Sequence, residues 1–179
     1  MISLEEIRAY RCPRWEELPD LELYMDQVIS VLEKNLKIFI GDDPSKSVTP
    51  TMINNYVKQK LVRAPKNKRY DRGHIANLYI ITLLKQIMSL GEIGAAITCV
   101  TEKYSSKDAY NRFCEIFESS LALVFFEEKT KISKTKFAEE DSIISSITLA
   151  FSNMLYAGYL VASRLPEKKE PPVKEKKKK

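Results

Sequence analysis

A chain of 179 residues with 44% hydrophobic and 30% charged side chains has the make-up of a globular protein with one substantial core, not of a low-complexity or collagen-like chain. Cys12, Cys99 and Cys114 lie far apart with no CxxC spacing, and His74 is the sole histidine, which excludes a zinc-ligand set and a disulfide scaffold. The net charge of +5 is unevenly placed: Lys46 to His74 hold eight cations against Asp71 alone, and residues 164–179 hold eight against three glutamates.

Five glycines and eight prolines in the whole chain favour helices. Ser3-Leu4-Glu5-Glu6 has capping-box spacing and predicts a short first helix. The stretch Met1 to Tyr10 lacks the apolar core of a signal segment, so a reducing cytoplasm is the expected compartment. Pro13 and Pro19 interrupt the chain. After Asp20, Leu21, Tyr24, Val28, Leu32, Leu36 and Phe39 recur as a helical stripe. Gly41-Asp42-Asp43-Pro44 predicts a turn, and Thr49-Pro50 predicts the N-cap and first position of a helix reaching Lys60.

Between Leu61 and Tyr70 no helical period survives. Pro65-Lys66-Asn67-Lys68 predicts a turn, and short strands on either side of it would make a small two-stranded hairpin. Asp71 is positioned to cap a helix through Met88 that is apolar on most sides and therefore central. Ser89-Leu90-Gly91-Glu92 is a second capping box. Two more helices are predicted over 105–128 and 138–165. In the latter, several of Ser142, Ser145, Ser146, Thr148, Ser152, Asn153 and Ser163 are expected opposite an Ile144–Phe151–Leu155 stripe, with Glu139, Glu140 and Asp141 at its positive end. Residues 166–179 are Lys, Glu and Pro with almost nothing to bury, the composition of a disordered tail.

The helix after Thr49 has two unlike faces. Ile53, Tyr56, Val57 and Lys60 fall on one side and suit a core. Thr51, Asn54, Asn55 and Lys58 fall on the other, and such amide, hydroxyl and ammonium groups can read base edges and grip phosphates. A solvated amphipathic helix has the same pattern. The basic turn that follows, with Arg63, Lys66, Lys68 and Arg69, then Tyr70 and Arg72, gives the order of a winged helix-turn-helix, whose wing lays cations on backbone phosphates.

Thr49-Pro50-Thr51-Met52-Ile53-Asn54-Asn55-Tyr56-Val57-Lys58, then Leu61-Val62, Arg69-Tyr70 and Leu90-Gly91-Glu92-Ile93, resembles the DNA-binding domain of MerR-type regulators. Leu18-Pro19-Asp20, Leu23-Tyr24-Met25-Asp26-Gln27, Lys68-Arg69-Tyr70 and Leu84-Lys85-Gln86 also resemble an uncharacterised bacterial family known as a domain of unknown function, over roughly residues 18–100. The resemblance implies a MerR-like winged helix-turn-helix over 18–103 with a small two-stranded wing; with an N-terminal arm over 1–17 and a C-terminal helical hairpin over 104–165 read from the helical pattern, the expected fold is mainly α. The resemblance also implies a homodimeric, sequence-specific transcriptional regulator of double-stranded DNA with its recognition helix over 50–60 and its basic wing over 62–70. The DNA contacts would be Thr51, Asn54, Asn55, Lys58, Arg63, Lys66, Lys68, Arg69 and Arg72. It leaves room for a small-molecule effector, and because the chain departs from the MerR pattern in having no cysteine metal loop, no metal or other cofactor is expected. Nothing in the chain has the form of a catalytic constellation: His74 suits capping or packing, and Cys99 and Cys114 sit in apolar helical contexts.

Two other readings fit parts of the chain. Ser142 to Ser163 is uncharged and followed by cations, as a membrane anchor would be, although its serines are a heavy polar load for lipid. The basic face could instead bind an acidic protein.

Overall fold

The computed structural model describes residues 2–41, 43, 46–127 and 141–164. Of the described residues 71% are helical and none belongs to a strand. The helices are α1 (Leu4–Ala9), α2 (Met25–Ile40), α3 (Pro50–Lys58), α4 (Arg72–Leu84), α5 (Leu90–Thr101), α6 (Ser106–Phe126) and α7 (Ser142–Arg164), with a 3-10 turn at Trp15–Glu17. The expected tail over 166–179 and the glutamates at 139 and 140 lie outside the described residues.

Local chemistry sets most helix starts. The hydroxyls of Ser3, Thr49, Ser89 and Ser105 each accept the backbone N–H three residues on, and Glu6 and Glu92 reach back to complete the boxes at Ser3 and Ser89. α2 is the exception. It begins at Met25, not after Asp20, because Leu23 pairs its backbone with Tyr70 and the Gln27 side chain accepts the Tyr24 N–H at 2.9 Å. Leu21, expected in the buried stripe, is 76% exposed. α4 stops at Leu84, and 85–88 form a turn ahead of the Ser89 cap.

One hydrophobic cluster runs from Ile7 to Phe151. α4, apolar all round, sits inside it, with Ile75, Leu78, Tyr79, Ile81 and Leu83 buried. Its aromatic centre joins Tyr10, Phe39, Phe117 and Phe151, with ring centroids 4.6 to 6.2 Å apart. The segment after α1 is fastened to α6. Glu118 accepts from both Arg14 guanidinium nitrogens at 2.8 and 2.7 Å and from the Cys12 N–H at 2.7 Å, and Asn111 accepts from the Trp15 N–H at 2.8 Å.

α6 and α7 pack along their length, and the polar residues of α7 divide, with Ser142, Ser146 and Asn153 exposed. Ser145, Thr148 and Ser152 are buried on the same side as Ile144 and Phe151, not opposite them. Their hydroxyls donate to carbonyls one turn back in α7, at Ser142, Ser145 and Thr148, so burial leaves none unsatisfied. Thr148 also meets Ser120 of α6 at 2.9 Å. Small side chains let the helices close up, and Asp141 clasps Arg112 at one end of the seam. α7 is long and apolar enough to cross a membrane, and 28% of its most apolar window is buried in this packing.

Phe117 contacts three other rings of the aromatic centre and is 1% exposed. Phe117→Ala should lower stability by about 3–5 kcal/mol in urea or guanidinium unfolding. A cost under about 1 kcal/mol would mean that the aromatic centre is not the core.

Candidate nucleic-acid interface

α3 rises from a firm base. The Thr49 hydroxyl accepts the Met52 N–H at 3.2 Å, and Pro50 fills the first position, where no donor is needed. Lys85, half-buried at the end of α4, donates to the Ser47 carbonyl at 3.4 Å and touches Met52 Sδ at 3.4 Å, tying α4 to the loop before α3. That burial lowers the Lys85 pKa from its ordinary value. Ile53 and Tyr56 enter the core, while Thr51, Asn54, Asn55 and Lys58 are all exposed, so the two-faced reading of this helix describes its packing correctly.

The helix is shorter than 50–60, and Lys60 is not on its buried side. α3 ends at Lys58 with Gln59 as C-cap, and Lys60 adopts φ 61°. The Lys60 N–H donates to the Val57 carbonyl and the Leu61 N–H to the Tyr56 carbonyl, both at 3.0 Å, which is a Schellman closure with lysine where glycine is usual. Leu61 then turns inward toward α5. A Cβ on Gly94 would come within 2.7 Å of Leu61 Cδ2, so glycine at 94 permits the close approach.

The two-stranded wing is absent among the described residues. In its place is a single antiparallel bridge, Lys66 to Arg69, with the Arg69 N–H donating to the Lys66 carbonyl at 2.9 Å. Asn67 and Lys68 between them have φ 51° and 60°, the paired positive angles of a type I′ turn. The ladder cannot grow because the next rung would need the Asp71 N–H, which His74 Nδ1 accepts at 3.0 Å in the cap of α4. Tyr70 instead exchanges both backbone hydrogen bonds with Leu23, at 2.8 and 2.9 Å, and its buried ring meets His74 edge-on.

The cations divide into two groups. Arg72 is ion-paired with Asp20 at 2.9 Å, and its side chain is 22% exposed. Arg63 is ion-paired with Asp71. Arg69 lies over the Tyr24 ring, 4.6 Å from its centroid, and donates to the Tyr24 hydroxyl at 2.9 Å. Lys58, Lys66 and Lys68, with Lys60 beside them, are exposed and have no ion-pair partner among the described residues. Asn55 Oδ1 is engaged by the Gln59 amide at 3.2 Å, which leaves Asn54 as the freer amide. Sequence reasoning missed Tyr24, because a tyrosine in helical register with Val28 looks like core. It also missed Lys85, whose only sign was its place in Leu84-Lys85-Gln86.

Two spaces bear on a small-molecule effector. The apolar cavity among Ile80, Leu84, Val100, Tyr110, Phe113 and Ile147 holds ≈ 50 Å³, far below a ligand-sized pocket. An open cleft of ≈ 850 Å³ between α1, the end of α2 and α7, bordered by Ile2, Tyr10, Lys34, Lys37, Met154 and Tyr159, is large enough.

Two substitutions check this geometry. Lys60→Gly should stabilise the fold by about 0.5–1 kcal/mol, because glycine carries no penalty at positive φ. Asp71→Ala should cost about 1 kcal/mol through loss of the α4 cap. Burial opposes ionisation of Asp71, but Arg63 and the His74 N–H outweigh it and hold its carboxyl below the ordinary 3.8. The stability linked to this group is therefore complete above pH 3.8 and declines as pH falls through the lower folded value. In acid titrations followed by circular dichroism, Asp71→Ala should lose that part of the pH dependence.

Residues 13–113 match the model of a protein family described as a domain of unknown function, DUF1836. No curated protein and no solved structure matches the chain. Nothing in these comparisons links it to MerR-type regulators.

Proposed function

The chain belongs to the family described as a domain of unknown function (DUF1836), and we propose that it is a homodimeric, sequence-specific DNA-binding transcriptional regulator of helix-turn-helix type. The observation that carries this reading is the outer surface of α3. A capped, well-anchored helix presents Thr51, Asn54, Asn55 and Lys58 to solvent, and a basic type I′ turn follows it. An asparagine on such a face can pair with adenine through N6 and N7, and a lysine can hold a phosphate. The helix N-terminus adds partial positive charge at Pro50 and Thr51.

In this reading α2 and α3 form the helix pair, and the turn over 66–69 takes the place of a MerR-like wing. Lys58, Lys60, Lys66 and Lys68 meet the backbone, while Arg63, Arg69 and Arg72 chiefly hold the turn and α4 in place. Ile143 and Val161 are exposed on α7 and would meet the same helix of a second copy, setting two α3 helices on half-sites about one helical turn apart. The protein would work in the cytoplasm without a cofactor.

The test is selection of bound sequences from random duplex DNA, followed by gel shifts at several salt concentrations. Four phosphate contacts per protomer, eight per dimer, predict a log K against log salt slope of about −7. Lys58→Ala should weaken all sequences alike and flatten the slope by about 0.9 per protomer, whereas Asn54→Ala should cost about 1–3 kcal/mol on the selected site and little on random DNA. If no sequence is enriched, or both variants bind like the parent, the α3 surface is not a DNA-reading face.

A further inference from the structure

The open cleft between α1, the end of α2 and α7 has no part in the DNA reading. Its ≈ 850 Å³ falls within the roughly 300–1,000 Å³ of small-molecule sites. The floor is apolar. Ile2, Tyr10, Ile38, Met154, Leu155 and Tyr159 pack against the core on one side and are only partly covered on the other. The Tyr10 hydroxyl is bonded to the buried Tyr79 hydroxyl, so the polar end of that ring is engaged inside the core.

The rim is cationic. Lys34 and Lys37, one turn apart on α2, are exposed, and Lys46 stands half-buried beyond Gly41. None of the three has an ion-pair partner among the described residues. Two acids border the same space, Asp43 and Glu6, and the Glu6 carboxylate already accepts the Ser3 N–H at 2.9 Å in the box of α1. Three ammonium groups against two carboxylates leave the rim positive.

We propose that this cleft binds an amphiphilic carboxylate, a medium-chain fatty acid, with its head group on the lysine rim and its chain along the apolar floor. Each half of the cleft selects one half of such a ligand. A small inorganic anion has no use for the floor, and an uncharged chain has none for the lysines. Burial of the chain supplies most of the affinity, because apolar area removed from water outweighs an exposed ion pair. The C-terminal segment of the protein itself has the wrong sign for this rim: residues 164–179 hold eight cations against three glutamates. A bound chain touches α1, α2 and α7 together, and so fixes the end of α2 against the helix assigned to pairing with a second copy. That consequence, a route from a ligand to the spacing of two α3 helices, rests on the DNA reading; the binding does not.

The experiment titrates the full chain with decanoate below its micelle concentration, by calorimetry and by thermal unfolding. One decanoate per chain is expected, with a melting rise of about 3–6 °C at about tenfold excess over Kd. Octanoate, two methylenes shorter, should bind about four- to sixteenfold more weakly. Decanol should bind about two- to tenfold more weakly for want of a charge. Lys34→Gln combined with Lys37→Gln should erase the preference for decanoate over decanol while melting like the parent. Gly158→Trp blocks the site by volume. Nothing lies within 4 Å of a Cβ built at Gly158, which borders the cleft, so the indole enters it without disturbing α7. This variant should lose decanoate binding with no loss of stability in the absence of ligand. No binding of decanoate, decanol binding as tightly as decanoate, or a Gly158→Trp chain that binds like the parent overturns the proposal. Capture of the chain by anionic phosphatidylglycerol vesicles, with free decanoate unable to release it, assigns the cleft to a lipid surface and overturns it too. None of these measurements involves DNA, so their failure and that of the α3 reading are told apart.

Discussion

The backbone exchange between Leu23 and Tyr70 is the constraint from which the basic surface follows. Two hydrogen bonds of 2.8 and 2.9 Å join the segment before α2 to the residue before the α4 cap. With Leu23 held extended, α2 cannot begin until Met25, so Tyr24 stands at the helix mouth instead of in the core. Arg69, one residue before Tyr70, is thereby placed over the Tyr24 ring. With Tyr70 fixed and buried, Asp71 is positioned to cap α4, and its N–H goes to His74. That engagement ends the hairpin after one rung. The absent strands and the stacked arginine have one physical origin.

The same constraint sorts the charges. Eight cations against one acid over 46–74 suggest a uniform polyanion-binding patch. In the fold, the three arginines are held by Asp20, Tyr24 and Asp71, because planar guanidinium groups form directed contacts at modest entropic cost. The lysines at 58, 60, 66 and 68 extend into solvent. Exposed pairs such as Arg63 with Asp71 contribute little stability, so a phosphate can compete for Arg63 more readily than for the less exposed Arg72. The surface thus holds two kinds of cation: exposed lysines, and arginines engaged by neighbouring side chains.

What could be read from sequence was whatever depends on near neighbours. A hydroxyl three residues before a backbone donor marks a cap wherever it occurs, so Ser3, Thr49, Ser89 and Ser105 were legible. The outer face of α3 was legible because nine residues of helix fix which side Ile53 and Tyr56 share. The start of α2 was not, since apolar period alone continues back through Tyr24 and Leu21, and only the distant Tyr70 breaks it. Nor were the partners of Arg69 and Arg72, Tyr24 and Asp20, which lie far away in the chain. The wing was over-read because a turn motif between basic residues says nothing of whether the rung beyond it is free to form.

The uncharged length of α7 illustrates how a polar count can mislead about a helix's surroundings. Serines and a threonine in an apolar stretch look too polar for lipid, and several of the polar residues are expected opposite the stripe. Yet each buried hydroxyl finds a carbonyl in its own helix, so the polar atoms need nothing from the neighbour and the side chains act as small spacers. Packed against α6, they let Ile144 and Phe151 reach the core between them. Farther along, Phe125 of α6 meets Tyr156 and Tyr159 at 5.1 and 6.2 Å, so bulky rings fill the seam there. The absence of charge on this side is therefore a requirement of packing against α6. Only the opposite side, where Ile143 and Val161 are exposed, has apolar surface without a partner in the described fold.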